Sequence, residues 1–331
     1  MLLKAFPGEI LFSRLCRSLS VSGLPVQKFS RSLGLEARSS FHPFLTQHLT
    51  EIAETSHENA ELLWAEQTLF PLWVWSMPGY AKALRQLTGP PARLLWFYQL
   101  TGNHSSQRMQ LHFCPVCARE DAMGYGVPYW HCEHQIPGVS ICNRHRCRLM
   151  SRLVPPSPHI AVEFYPDKFN NIILCKNIEN DFAIFARQIL SRLAHGEGIS
   201  DNYFSGFTST RTDVKKMKHS GIVKLDMSFN DLIRHLWEEN SDPVITDKTH
   251  FIYYIISNFE NIFPTQKLLL CFYFNRMQSI RQNVSQEHKT PNKTNKEKTN
   301  NKIRKDVMEL NSLMVKLWNP TKFTVEFRTL T

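Results

Sequence analysis

Cys114-Pro115-Val116-Cys117 and Cys142-Asn143-Arg144-His145 are two short pairs of metal-ligating side chains, each with two residues between its donors. Thiolates three positions apart reach one ion from a single tight knuckle. A second knuckle of Cys and His completes a tetrahedron of soft and borderline donors, the set that suits zinc. Four protein ligands leave no open position for an activated water, so the spacing predicts one structural Zn2+ rather than a hydrolytic one. Zinc binding is worth about 10 to 16 kcal/mol in small zinc peptides, enough to hold a small module together. Other donors stand close by at His112, His131, Cys132, His134 and Cys147. Cys132 or Cys147 is therefore an alternative for one position of the set. A redox role for Cys114 and Cys117 lacks the βαβ context that such a pair needs.

The elements that must position these donors are mainly helical. From Glu9 to Leu19 the apolar Leu11, Leu15 and Leu19 recur at fours, and Arg14, Arg17 and Ser18 are assigned to the opposite face. Phe44, Leu45, Leu49 and Ile52 repeat the pattern, and Ser56 is expected to cap a helix carrying Leu62 and Leu63. Trp64, Trp73, Trp75, Trp96 and Phe97 are expected to fill the core of this helical domain. Between His112 and Leu149 closely spaced Cys, His, Gly and Pro replace the helical pattern, which marks a small metal-stapled module. Helices return with Phe182, Phe185, Ile189 and Leu193, closed by Gly196 and Gly198. Phe251 to Phe274 is read as two buried helices around Pro264.

The fold class expected is mainly α. Its parts are a helical N-terminal domain (1–105), a zinc module (106–155), a helical region resembling a helix-turn-helix (156–278), a polar linker (279–305) and a short amphipathic segment (306–331). The polar stretch from Ser285 to Lys305, rich in Asn, Lys and Thr, has too little apolar surface to offset the entropy of ordering it. Val307 to Trp318 is read as a short amphipathic piece.

With 42% hydrophobic and 21% charged residues among 331, the chain has the composition of a globular protein. Pro7, Gly8 and Glu9 break any apolar run long enough for a signal peptide, and Phe251 to Phe274 carries too many polar groups to span a bilayer. A cytoplasmic, nucleoid-associated protein without a membrane partner is the expectation, so the eight cysteines are not read as disulfides. A net charge of +10 favours a polyanionic partner. No H-E-x-x-H and no P-loop sequence occurs, which argues against a zinc protease or a nucleotide hydrolase.

Taken together, Cys114 to Cys117, Asp121, Gly124, Tyr129-Trp130, His134-Gln135, Pro137-Gly138-Val139, Cys142, His145 and Leu149 resemble the zinc module of the TniQ/TnsD family of transposon target-selection proteins. Phe6-Pro7-Gly8-Glu9 through Leu15, and Thr68-Leu69-Phe70-Pro71-Leu72-Trp73, resemble that family's N-terminal region. The resemblance covers about the first 150 residues by the spread of these motifs. It implies a non-catalytic adaptor that recognises a target and recruits the transposon's AAA+ regulator ATPase, which brings the transposase. The target is either double-stranded DNA read directly or a CRISPR effector complex already bound to DNA, and a homodimer is compatible with either. The resemblance also implies that Cys114, Cys117, Cys142 and His145 hold the zinc. Trp130 is then a wall of the site, and His134 a hydrogen-bond partner of its ligands.

For DNA contact the sequence offers Arg211, Lys215, Lys216 and Lys218, a turn at Gly221, then Lys224 and Arg234 around the helix that follows Ser228. Two helices joined by a brief turn suit a helix-turn-helix whose basic side chains hold phosphates. Arg144, Arg146 and Arg148 add positive charge beside the zinc.

Overall fold

The computed structural model describes residues 2–89, 109–156, 160–167, 172–174, 177–199, 263–287, 305–310 and 312. The chain forms two compact units, Met1–Ile199 and Ser200–Thr331.

In the first unit, α1 (Leu11–Ser22) buries Leu11, Phe12, Leu15, Cys16 and Leu19, and Gly23 ends it in the left-handed conformation that only glycine takes without cost. The polar face expected for α1 is not in water. Arg14, Arg17 and Ser18 are all buried, because each has a partner in the interior. Arg14 donates to both carboxylate oxygens of Glu58, at 2.8 and 2.9 Å, and to the carbonyl of Leu3. Arg17 pairs with the buried carboxylate of Glu9 at 2.8 Å and lies over the ring of Phe6. The helix is thus surrounded, and its charges are compensated one by one.

Short helices follow: α2 (Val26–Ser32), α3 (Leu49–Ser56), α4 (Ala60–Glu66), α5 (Phe70–Ser76) and α6 (Ala81–Leu84). Phe44 and Leu45 are buried but precede α3 in non-helical chain, where His42 Nδ1 accepts their backbone N–H groups. Ser56 is the last residue of α3 and not a cap. His57 takes φ 56° and turns the chain, and Asn59 caps α4 by accepting from the N–H of Glu61 and Leu62. Of the aromatic residues assigned to the core, Trp73 is fully buried, Trp64 and Trp75 are half-buried, and Trp96 and Phe97 lie outside the described residues.

The segment that carries the cysteines has more regular structure than its composition suggests. β1 (Gln110–Phe113) pairs antiparallel with β2 (Met150–Leu153), Gln110 opposite Leu153 and Phe113 opposite Met150. Between them run α7 (Pro115–Tyr125) and a 3-10 turn at Cys132–Gln135. A further helix, α8 (Asn177–Ala194), buries Phe182, Phe185 and Ile189 and packs on α4 and α5.

The first ten residues tie the helices to this module. Pro7 and Gly8 turn the chain, Gly8 with φ 67°, and Glu9 then bridges to His131. The N–H of Ile10 donates to the Trp130 carbonyl at 3.0 Å, that of Cys132 to the Gly8 carbonyl at 2.8 Å, and Tyr129 Oη to the Pro7 carbonyl at 3.0 Å. Trp130 continues the same core toward later sequence, stacking on Phe164 and donating Nε1–H to its carbonyl.

In the second unit, α9 (Pro264–Glu287) begins at Pro264, a residue suited to the first helical position, and buries Leu268 through Tyr273. The earlier half of the expected helix pair lies outside the described residues, as do Arg211, Lys215, Lys216, Lys218, Lys224 and Arg234. The polar stretch expected to start at Ser285 is still helical to Glu287, and Lys305–Leu310 is helical with Leu310 buried. No helix among the described residues is long and apolar enough to cross a membrane.

Candidate metal centre

The first knuckle is the start of α7. Cys114 is its N-cap, and Cys114 Sγ accepts the backbone N–H of Cys117 at 3.4 Å. A thiolate there faces the unpaired N–H groups of the first turn, which favour negative charge. The second knuckle is a tight turn in which the N–H of Cys142 donates to the Cys147 carbonyl and that of Arg146 to the Cys142 carbonyl, each at 2.8 Å. Arg146 takes φ 52°, an uncommon conformation for a side-chain-bearing residue, and the turn brings Cys142 and His145 back toward α7.

Sulfur to sulfur, Cys117 and Cys142 are 3.7 Å apart. His145 Nδ1 stands 3.4, 3.3 and 3.6 Å from the sulfurs of Cys114, Cys117 and Cys142. All four donor atoms lie within 4.8 Å of one another. Two sulfurs on one tetrahedral zinc at the usual bond length are about 3.8 Å apart, and a sulfur and a nitrogen about 3.6 Å. The cluster therefore has the dimensions of a single coordination sphere and can hold a metal ion. Hydrogen bonds from Cys117 first and Cys142 second pull the Cys114 pKa down to about 3, while the same shared protons push Cys117 up.

His145 reaches the cluster with Nδ1 and leaves Nε2 for Glu120, whose Oε1 is 3.2 Å away. The other oxygen of Glu120 accepts from Arg144 at 3.0 Å. A carboxylate on the far nitrogen fixes the tautomer and orientation of a ligating histidine. Sequence reasoning did not single out Glu120. Its signal is its place three residues after Cys117, on the same face of a helix, and α7 has to be recognised before that spacing means anything.

The neighbouring donors separate cleanly. Cys132 points away and donates to the Glu66 carbonyl at 3.6 Å, and burial raises its pKa. Cys147 Sγ lies 3.3 Å from Cys114 Sγ. His134 is buried with Nε2 4.0 Å from Cys117 Sγ, and burial above all pushes its pKa down to about 4, which keeps it neutral. The Trp130 indole meets the ring of Phe113, the residue before the first candidate ligand, in a T-shaped contact. Gln135 fastens β1 to the 3-10 turn by accepting the His112 N–H at 2.8 Å and donating to the His112 carbonyl at 2.7 Å. Asp121, one turn after Cys117 on the buried face of α7, holds His131 at 2.8 Å.

No curated protein matches the chain. The TniQ family model matches residues 1–149, a span that contains α1 to α7, the strap at Phe6–Glu9 and all four donors of the metal cluster. Residues 1–149 of the chain thus form a TniQ domain.

Proposed function

We propose that the protein is a non-catalytic adaptor that selects a target site for transposition, binding double-stranded DNA and recruiting an AAA+ regulator ATPase from a scaffold built on one structural zinc ion. The observation that carries this reading is the coincidence of the TniQ match with the helices and the four-donor cluster that the N-terminal strap joins into one unit. The tetrahedral donor set supports a structural ion, since it leaves no position for a reacting water.

The proposal places DNA first at the outer edge of the second knuckle. Arg144, Arg146 and Arg148 are exposed and alternate with the inward-facing His145, Cys147 and Leu149. Among the described residues Arg144 pairs with Glu120, and no ion pair is made by Arg146 or Arg148. Cations released in this way from local partners bind phosphates with an affinity that falls steeply with salt. Lys215, Lys216 and the other basic residues from Arg211 to Arg234 extend the same proposal to the later part of the chain.

The test is anisotropy of labelled duplex DNA across a salt series, together with co-sedimentation with the cognate AAA+ ATPase. Binding whose logarithm falls linearly with the logarithm of salt, and a stable complex with the ATPase, are the expected results. Absence of both interactions, with the protein folded and loaded with metal, contradicts the proposal.

A further inference from the structure

Trp64 and Trp75 are only half-buried because both line a cleft of about 780 Å3 in the first unit. α4 contributes Glu61 and Trp64 to it, α5 contributes Val74 and Trp75, Arg85 enters from the end of α6, and the loop after α8 completes it with Glu197 to Ile199. The lining is held in place before anything binds. Trp64 donates its Nε1–H to the Leu84 carbonyl at 3.0 Å and lies nearly parallel to Phe70, with ring centroids 6.2 Å apart. Arg192 secures the loop after α8 through an ion pair with Glu197 at 3.2 Å and a hydrogen bond to the Gly198 carbonyl at 3.4 Å. A preformed, mostly apolar cleft with a few polar groups, in the range of about 300 to 1,000 Å3, is the usual form of a binding site.

Among the described residues three charged side chains line the cleft, and they differ in what they have to pair with. Glu197 is matched by Arg192. The Arg85 guanidinium lies over the Trp64 indole, 5.8 Å from the ring centroid, and among the described residues neither Arg85 nor Glu61 makes an ion pair. The cleft therefore offers an aromatic and aliphatic surface flanked by one uncompensated cation and one uncompensated anion.

We infer that this cleft is the docking site for the AAA+ ATPase, which inserts a linear segment carrying an apolar side chain between one acidic and one basic residue. The inference rests on the adaptor reading proposed above and assigns the surface that reading leaves open. Charge selects between the two partners of that reading. Two of the three charged lining groups are carboxylates, so a phosphate chain would meet more anion than cation there. A protein segment meets the opposite situation: its apolar side chain displaces water from Trp64 and Trp75, its carboxylate pairs with Arg85, and its cation pairs with Glu61. Tryptophan and arginine are the side chains that most often carry the binding energy of a protein interface. DNA and the ATPase then engage different residues, Arg144 to Arg148 for the one and the cleft for the other. The loop from Glu197 to Ile199 lies beyond the span matched by the TniQ family, so the complete cleft is a feature of this chain and not of the matched domain alone.

The experiment uses the full chain and its cognate ATPase, with affinity measured by thermophoresis for the wild type, Arg85→Glu and Gly198→Trp. Arg85 is exposed, so its reversal leaves the packing alone. Gly198 lines the cleft and an added Cβ meets nothing within 4 Å, so a tryptophan there fills the cleft without displacing a neighbour. Each variant is expected to bind the ATPase at least about ten times more weakly, the scale of losing an interface anchor, while its affinity for duplex DNA stays that of the wild type. On an array of short overlapping peptides covering the ATPase, the wild type is expected to retain those in which an apolar residue stands between acidic and basic ones, and Arg85→Glu to lose them. A wild type that binds the ATPase and two variants that bind it equally well would overturn the inference and leave the adaptor reading intact. So would variants that lose DNA and ATPase together, or retained peptides without an acidic residue. A folded wild type that does not bind the ATPase at all would remove the adaptor reading itself.

Discussion

At the scale of single residues, two donors of the candidate metal cluster have a second contact that holds them in place: Cys114 accepts the backbone N–H of Cys117, and His145 faces Glu120. Glu120 does this for His145, and because Glu120 is on the surface its effect belongs at the low end of the range for such partners. Glu120→Gln is expected to weaken zinc binding by about tenfold in a chelator competition, with the fold unchanged. An unaltered affinity would mean that the imidazole is oriented by the knuckle alone. Arg14 and Glu58 give a separate handle on the helical part. Burial pushes the Glu58 carboxyl up, but the hydrogen bond and charge of Arg14 outweigh it and hold its pKa below the ordinary glutamate value of 4.5. The unfolded chain therefore takes up a proton at higher pH than the folded one. The pair contributes its full stability above about pH 4.5 and loses it as pH falls through the folded pKa. The urea midpoint of the wild type is expected to drop more steeply with acid than that of Glu58→Gln, and parallel curves would contradict the pairing.

At the scale of elements, much of the helical part was legible in the sequence and the metal module's own secondary structure was not. The fours of Leu11, Leu15 and Leu19 located α1, and the stripe of Phe182, Phe185 and Ile189 located α8, because each helix buries an apolar face. α7 escaped because its buried face is made of Cys117, Ala118 and Asp121, residues that carry no apolar period. The paired strands around it are only four residues long, too short for alternation to stand out. Arg14 and Arg17 misled for a different reason: charge predicts exposure only when no buried partner is waiting, and Glu58 and Glu9 are distant in sequence or facing the wrong way until the chain folds. The four candidate ligands were legible as spacing, since a knuckle is a local device. Glu120 was not, because its role depends on a helix and on the opposite knuckle. Asn59 supplies an element-scale test. Asn59→Ala removes the cap of α4 and is expected to cost about 1 kcal/mol in chemical denaturation, whereas Ser56→Ala, at the end of α3, is expected to cost less.

At the scale of the molecule, the span matched by the TniQ family is a helical part and a metal module that share hydrogen bonds through Phe6 to Ile10 and share a core through Trp130. An ion bound by the candidate donors Cys114, Cys117, Cys142 and His145 would therefore have consequences beyond its own loop. It would fix the second knuckle, and with it the exposed arginines proposed to contact DNA and the buried frame around Cys147. Everything proposed for the adaptor depends on that ion being present in the folded protein. The most direct measurement is elemental analysis of the purified full chain beside its Cys117→Ser variant. One zinc per wild-type chain, falling to background in the variant, is the predicted result. A folded wild-type chain with no zinc, or a variant that keeps its full complement, would contradict the account.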